Sequence, residues 1–453
     1  MRVHFIAIGG SAMHNLALAM HKKGYVVSGS DDEIAEPSYS RLKNAGILPE
    51  SIGWFPEKIS AQLDAVILGM HAREDNPELQ EAKNKGVKIF SYPEYIYEQT
   101  KNKIRVVIGG SHGKTTITAM ILHVLHANNI NCDYMVGAQL KGFDTMVKLS
   151  EEAKIAVIEG DEYLSSPIDR RPKFHLYHPD IALLSGIAWD HINVFPTFEN
   201  YVDQFKIFTD LISENGSLIY CNADKIVEKV ALNARKDIKK LPYHVPEHVN
   251  ENGITSLLVE NTKIPIKVFG HHNLMNLLGA KLVCNELGIS DPQFYNAIKN
   301  FEGAAKRLEV VFQNNNSVLF KDFAHSPSKL KATTAAVKNQ FPNRKLTACM
   351  ELHTFSSLNE NFLLEYKDAM KEADNAIIYF NPHTIAHKKL KEITKEQIIH
   401  AFGNGKNLQV FTDIDLLKNF LYQLDISNQN ILMMSSGTFD GLDFKGLAEN
   451  LYK

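Results

Sequence analysis

Arg105-Val106-Val107-Ile108-Gly109-Gly110-Ser111-His112-Gly113-Lys114-Thr115-Thr116 is the stretch that decides the fold. Its apolar start predicts a strand, and Ile117-Thr118-Ala119-Met120-Ile121-Leu122 predicts a helix directly after it. Glycines between a strand and a helix let backbone N–H groups close round a phosphate, and the helix N-terminus adds the positive end of its dipole. Lys114 can then reach β/γ-phosphates, and the Thr115 hydroxyl can ligate Mg²⁺. Ile108 stands where a full G-x-x-x-x-G-K-T loop has its first glycine, so the motif is the shorter Gly110-Ser111-His112-Gly113-Lys114-Thr115-Thr116. With a strand before it and a helix after it, the loop reads as a nucleoside triphosphate site rather than a glycine turn beside a surface lysine.

Outward from this loop, apolar runs alternate with helical patterns along nearly the whole chain, which predicts α/β domains with largely parallel sheets. Strands are expected at 3–8, 25–28, 65–68 and 88–90, with helices at 12–23 and 38–45. A first domain should close near Tyr92-Pro93-Glu94. Strands at 104–108, 155–159 and 181–185 make a second unit, and a polar stretch at 247–255 precedes short strands and a helix starting near His272. A third unit is expected from about Phe301-Glu302-Gly303, with strands at 318–320, 345–350, 376–380, 408–411 and 431–434. The 453 residues are too many for one core and suit two or three domains.

Composition narrows the partners. With 49 basic and 52 acidic residues the formal net charge is −3, so nothing calls for nucleic acid or an anionic membrane. The four cysteines form no C-x-x-C pair, which fits buried apolar roles in a reducing compartment. The N-terminal apolar stretch is too short for a signal peptide and no run approaches a membrane span, so a cytoplasmic location is expected.

Five further segments carry chemistry. Gly9-Gly10-Ser11-Ala12-Met13 turns the first strand into a helix, and Asp31 follows the next strand, a layout that suits a nucleotide. It lacks G-x-G-x-x-G in either register, which counts against a redox dinucleotide. Val157-Ile158-Glu159-Gly160-Asp161-Glu162 puts carboxylates at a strand's C-terminal end, where ligand crevices open and Mg²⁺ finds oxygen ligands. Glu159 ends that strand directly, whereas Glu162 reads equally as a solvated charge at a helix start. Trp189-Asp190-His191 lies beyond the next strand, and His191 reads equally as a metal ligand or a structural histidine. His272, Asn273 and Asn276 share one helix turn, where side-chain amides match an adenine edge. Arg307 and Lys321-Asp322-Phe323-Ala324-His325 add polar groups in the third unit.

The ordered set resembles the Mur ligases, ATP-dependent enzymes that build the peptide of bacterial cell-wall precursors. The resemblance spans nearly the whole chain. It implies a Rossmann-like UDP-sugar-binding domain (1–100), a central P-loop ATPase with a mostly parallel sheet (101–301) and a Rossmann-like amine-binding domain (302–453). It implies that a substrate carboxylate takes the γ-phosphoryl group of ATP and that an amine then displaces phosphate to form an amide. On this basis Gly9, Gly10, Ser11, Ala12, Met13 and Asp31 hold the UDP-sugar. Gly110, Ser111, His112, Gly113, Lys114, Thr115 and Thr116 hold phosphates, and Thr115, Glu159 and His191 hold Mg²⁺. His272, Asn273 and Asn276 read adenine, Arg307 faces the phosphates and Asp322 takes the ribose. Lys206, 15 residues after His191, stands where some members carry a carbamylated metal-binding lysine; an ordinary solvated helix lysine is the other reading.

Two amines are implied by close relatives. Glu159-Gly160-Asp161-Glu162-Tyr163, Arg171-Pro172-Lys173-Phe174 with Tyr177, Lys321-Asp322-Phe323-Ala324-His325 and Met434-Ser435-Ser436-Gly437 resemble the recycling branch, which joins UDP-N-acetylmuramate to L-alanyl-γ-D-glutamyl-meso-diaminopimelate. Arg170, Arg171, Lys173, His353 and His383 would then receive the extra carboxylates. The alternative is L-alanine as the amine. The chain departs from the family at Ser185-Gly186, where Thr-Asn is usual, at Ser326, and at Glu351-Leu352-His353-Thr354, which lacks an arginine. A kinase would share the phosphate loop but leave the first domain unexplained, and a folylpolyglutamate synthase would lack that domain. A monomer or weak homo-oligomer is expected.

Overall fold

The structure is a computed structural model that describes every residue except Lys141, Ile192, Asn193, Asn252, Ala305, Lys306, Asn404, Lys406 and Lys453. The described residues form two compact units, 1–244 with 276–298, and 245–275 with 299–453. None of their helices is long and apolar enough to cross a membrane. All four cysteines are free and buried.

The first unit contains two sheets. Strands β1 (Arg2–Ile6), β2 (Val26–Ser30), β3 (Ala65–Leu68) and β4 (Ile89–Ser91) pair in parallel in the order β2-β1-β3-β4. The seven-stranded sheet holds β5 (Ile104–Gly109), β6 (Asp133–Met135), β7 (Val147–Lys148), β8 (Ile155–Glu159), β9 (Ile181–Leu184), β10 (Ser217–Cys221) and β11 (Lys239–Tyr243). Their order is β11-β10-β9-β5-β8-β6-β7, parallel except for the pair β6 and β7. The central strands β5, β8 and β9 are Val/Ile/Leu-rich runs buried on both faces, as helix-covered parallel sheets require. Ile108 pairs with Glu159 on one side and Leu183 on the other. That register brings the end of β8 and the residues after β9 to the carboxyl edge where the phosphate loop leaves β5, the edge at which α/β sheets bind ligands. The sheet ends on Lys239-Lys240-Leu241-Pro242-Tyr243 at one side and on a two-residue strand at the other.

Aromatic packing fixes the base of that edge. Phe174 stacks on Phe208 with centroids 4.7 Å apart and meets Phe205 edge-on at 5.4 Å. A Cβ on Gly109 would touch Phe174 and Phe208 at 3.4 Å, so the last residue of β5 rests on these rings. Beneath the first sheet, His4 and Glu78 are both fully buried. The carboxylate accepts from His4 Nε2 at 3.1 Å and from the Phe55 N–H at 2.6 Å.

The second unit has an antiparallel meander, β12 (His248–Glu251), β13 (Ile254–Val259) and β14 (Thr262–Ile266). Its main sheet is β15 (Glu309–Gln313), β16 (Val318–Asp322), β17 (Lys345–Glu351), β18 (Asn375–Tyr379), β19 (Leu408–Phe411) and β20 (Gln429–Met434). The order is β15-β16-β20-β17-β18-β19, antiparallel only at β15.

Tyr92-Pro93-Glu94 starts the helix Tyr92–Thr100, where Ser91 and Glu94 form a capping box and proline sits in the permissive first turn. The polar stretch 247–255 precedes the rest of β13, β14 and the helix His271–Glu286, as expected, and itself supplies β12 and the start of β13. Its polarity reflects mostly open faces, with Thr255 the buried exception.

Phe208→Ala should lower unfolding free energy by about 3–5 kcal/mol, measured by urea denaturation, since a fully buried ring leaves a cavity. Glu78 gives a pH signature. Burial opposes its charge, but hydrogen bonds from His4, Ser30 and the Phe55 N–H hold its pKa below the usual 4.5. A depressed folded pKa adds stability above about pH 4.5 that drains away as pH falls further. Glu78→Gln should therefore be less stable at pH 7 and lose less of its remaining stability on acidification than the parent chain.

Candidate active site

The phosphate loop has room for glycine alone at two points. Gly110 has φ 130°, and a Cβ there would fall 2.2 Å from Ser185 Oγ. Gly113 has φ 80°, and its Cβ would fall 2.5 Å from Asn276 Oδ1. Asn276 thus lies against this loop. The Ser185-Gly186 departure has a structural reason as well. The Ser185 hydroxyl donates to the carbonyls of Gly109 and His112, and a Cβ on Gly186 would strike the His112 ring.

From the N-terminus of the helix Lys114–Ala127, Lys114 Nζ donates to Gly110 O at 2.7 Å and to Glu162 Oε2 at 2.6 Å. Burial opposes the ammonium charge, yet Glu162, Asp161 and Glu159 outweigh it and raise the lysine pKa above its ordinary value. Glu162 is only 1% exposed and no helix begins there, which removes its reading as a solvated helix-start charge. Its other oxygen accepts from the Tyr201 hydroxyl at 3.1 Å and lies 3.7 Å from His191 Nε2. Burial, then the Glu162 charge, pushes the Tyr201 pKa up, so that hydroxyl keeps its proton.

One position along the helix, the Thr115 hydroxyl donates to Glu159 Oε1 at 2.8 Å, while the Gly137 N–H donates to Oε2 at 2.7 Å. A hydroxyl and a carboxylate side by side are hard oxygen donors of the kind Mg²⁺ takes. Among the described residues no group of three or more His, Cys, Asp or Glu could hold a metal unaided. An ion here would draw its remaining ligands from water and phosphate oxygens. Asp161, paired with Lys173 at 2.6 Å, is pulled down to about 2: burial opposes this, but Lys173 and Lys114 outweigh it.

In the first sheet Gly10 caps the helix Ser11–Lys22, and Gly9 N–H donates to Asp31 Oδ2 at 2.6 Å, so this turn and Asp31 meet. A Cβ on Gly9 would lie 2.9 Å from that oxygen. Ala12 and Met13 lie in the first turn of that helix, whose Asn15 Oδ1 accepts from the Met146 N–H at 2.9 Å. Gly137 thus touches the Glu159 carboxylate and Met146 touches this helix. His272 and Asn273 sit in the helix His271–Glu286, with the Asn273 amide donating to Phe269 O at 2.9 Å. In the second unit Arg307 lies over the Phe323 ring, and buried Asp322 accepts from the N–H groups of Leu308 and Ala324, both at 2.7 Å.

Lys206 does not join the site, and its assignment as a metal ligand is corrected. Tyr201, Phe205 and Phe208 form the inward face of the helix Phe198–Asp210. Lys206 falls about 140° away from Tyr201 at helical spacing, is 59% exposed and pairs with Asp203 at 2.8 Å. Tyr201 is the site residue the sequence reading missed. Its only signal was a hydroxyl-bearing ring on the apolar face of that helix.

If the loop holds the phosphates of ATP, Lys114→Ala should reduce ATP turnover on the order of 10²–10³-fold or more, since it removes the cation at the head of that loop. Steady-state ADP release checks this. The same variant should melt at a lower temperature, because Glu162 is left buried without its cation.

Comparison with known proteins agrees with this geometry. Residues 2–103 match the profile described as Mur ligase family, catalytic domain, and residues 108–284 match the Mur ligase middle domain. The UDP-N-acetylmuramate–L-alanine ligase of Clostridium acetobutylicum is 30% identical over 367 residues, covering 78% of each chain. The solved UDP-N-acetylmuramate-alanine ligase of Thermotoga maritima shares the fold with a TM-score of 0.70 at 19% identity, covering 100% of this chain and 98% of that one. A murein peptide ligase of Psychrobacter arcticus does so with a TM-score of 0.63 at 22% identity and the same coverage. This chain belongs to the Mur ligase family, ATP-dependent ligases of cell-wall precursor synthesis.

Proposed function

We propose that this chain joins the carboxylate of UDP-N-acetylmuramate to the amine of L-alanine, with ATP converted to ADP and phosphate. The observation that carries the ligase chemistry is the pairing of Lys114 with Glu162 and of Thr115 with Glu159 at the head of the phosphate loop. In this reading Lys114 turns to the β/γ-phosphates, while Thr115 and Glu159 hold Mg²⁺, with His191 beside Glu162 near a second ion. Bound Mg²⁺ would neutralise charge building on the transferred phosphoryl group. The turn at Gly9-Gly10-Ser11-Ala12-Met13 with Asp31 receives the UDP-sugar. His272, Asn273 and Asn276 take the adenine, and Arg307 and Asp322 complete the nucleotide contacts. The domains divide at 1–100, 101–301 and 302–453.

Two observations favour L-alanine. The 30%-identical relative carries that amine in its name. Lys173 and Arg171, two cations a tripeptide would need, already pair with Asp161 and Asp169. The tripeptide L-alanyl-γ-D-glutamyl-meso-diaminopimelate is the second reading. It rests on the resemblance of Glu159-Gly160-Asp161-Glu162-Tyr163 and Arg171-Pro172-Lys173-Phe174 to the recycling branch and on exposed Arg170.

The measurement is kcat/KM for both amines with UDP-N-acetylmuramate and ATP. L-Alanine is expected to exceed tripeptide by on the order of tenfold or more, since a site fitted to one amine leaves polar groups unpaired with the other. A preference for tripeptide would reverse the assignment within the family, and ADP release with neither would remove both.

A further inference from the structure

Tyr201 has no assigned role, yet its hydroxyl joins two parts of the nucleotide site. The ring is fully buried, and Oη lies 3.1 Å from Glu162 Oε1 and 3.0 Å from Ser111 Oγ. A carboxylate only accepts, so Tyr201 donates to Glu162 and is left to accept from Ser111. Ser111 Oγ in turn accepts the Ala188 N–H at 2.8 Å, and its contact with Gly186 O is long at 3.5 Å, so its own proton faces Tyr201. The bonds run one way, from Ala188 through Ser111 and Tyr201 to Glu162, whose second oxygen holds Lys114. Bonds in such a chain polarise one another.

In this arrangement Lys114 is held by Gly110 and Glu162, so a phosphate that recruits the lysine must draw it from that carboxylate. Glu162 is buried, and a buried carboxylate deprived of its donors is costly. We propose that Tyr201 is a positioning residue of the nucleotide site: its donation to Glu162 lowers the cost of releasing Lys114 to an incoming phosphate. Removing the hydroxyl leaves Glu162 more dependent on Lys114, and nucleotide binding weakens. The inference rests on the phosphate loop binding ATP, which Lys114→Ala tests separately.

The experiment is calorimetric titration of ATP, with and without Mg²⁺, into the full chain and into Y201F, E162Q and the double variant. Y201F is expected to raise the Kd about tenfold, the scale of one hydrogen bond to a charged group. In the E162Q background, where a neutral amide no longer holds the lysine, Y201F should change the Kd by less than about twofold. A purely structural tyrosine would lower the melting temperature in both backgrounds and leave the Kd alone. Binding by Y201F within about twofold of the parent, or an equal loss in both backgrounds, overturns the proposal. If Y201F fails to fold, S111A removes the bond on the other side of the hydroxyl and must show the same Glu162-dependent loss. If the parent binds no ATP while Y201F folds normally, the phosphate-loop reading is what has failed.

Discussion

Lys114 keeps its charge although the loop that positions it takes it almost out of water. Lys114 is 14% exposed and survives as an ammonium because Glu162, Asp161 and Glu159 gather round it. Those carboxylates can gather only because β8 runs parallel beside β5 in the register that sets Glu159 against Ile108. Buried ion pairs are weak stabilisers, since desolvation offsets much of the attraction. A chain selected for stability alone would gain by replacing this pair with apolar packing. Its presence at the carboxyl edge of a parallel sheet argues for a ligand.

Much of this was readable in the sequence because it is local. The strand, glycine turn and helix around residues 105–122 follow from apolar runs and loop chemistry, and β3, β8 and β19 fall where their apolar residues predict. Gly110 and Gly113 were legible as a glycine turn between strand and helix, although the side chains that forbid anything but glycine, from Ser185 and Asn276, were not. Local reading failed where a signal had two meanings. Pro93 sits inside a helix's first turn, and the cap formed by Ser91 and Glu94 is the helix-start signal that went unread. The polar run at 247–255 gave no strand signal of its own because a solvated antiparallel hairpin needs few apolar residues.

The site itself was legible up to the point where tertiary packing decides. Glu159 could be placed because it ends a strand, but Glu162 could not, since its burial depends on Tyr201 reaching in from a helix 39 residues away. Lys206 shows the converse error: a spacing counted from His191 says nothing about which side of a helix the residue occupies. Its neighbour Phe205 takes the inward place.

The composition of β11 bears on how the molecule behaves at high concentration. An outermost strand offers unpaired backbone groups to any passing chain, and a long apolar one would seed sheet-to-sheet growth. Here charged Lys239 and Lys240 make the edge polar, and Pro242 withholds a donor that an added strand would need. The opposite border is only two residues long, too short to template an extended partner. The seven-stranded sheet is therefore bounded chemically on one side and by length on the other, so any self-association has to use side-chain surfaces rather than strand addition there.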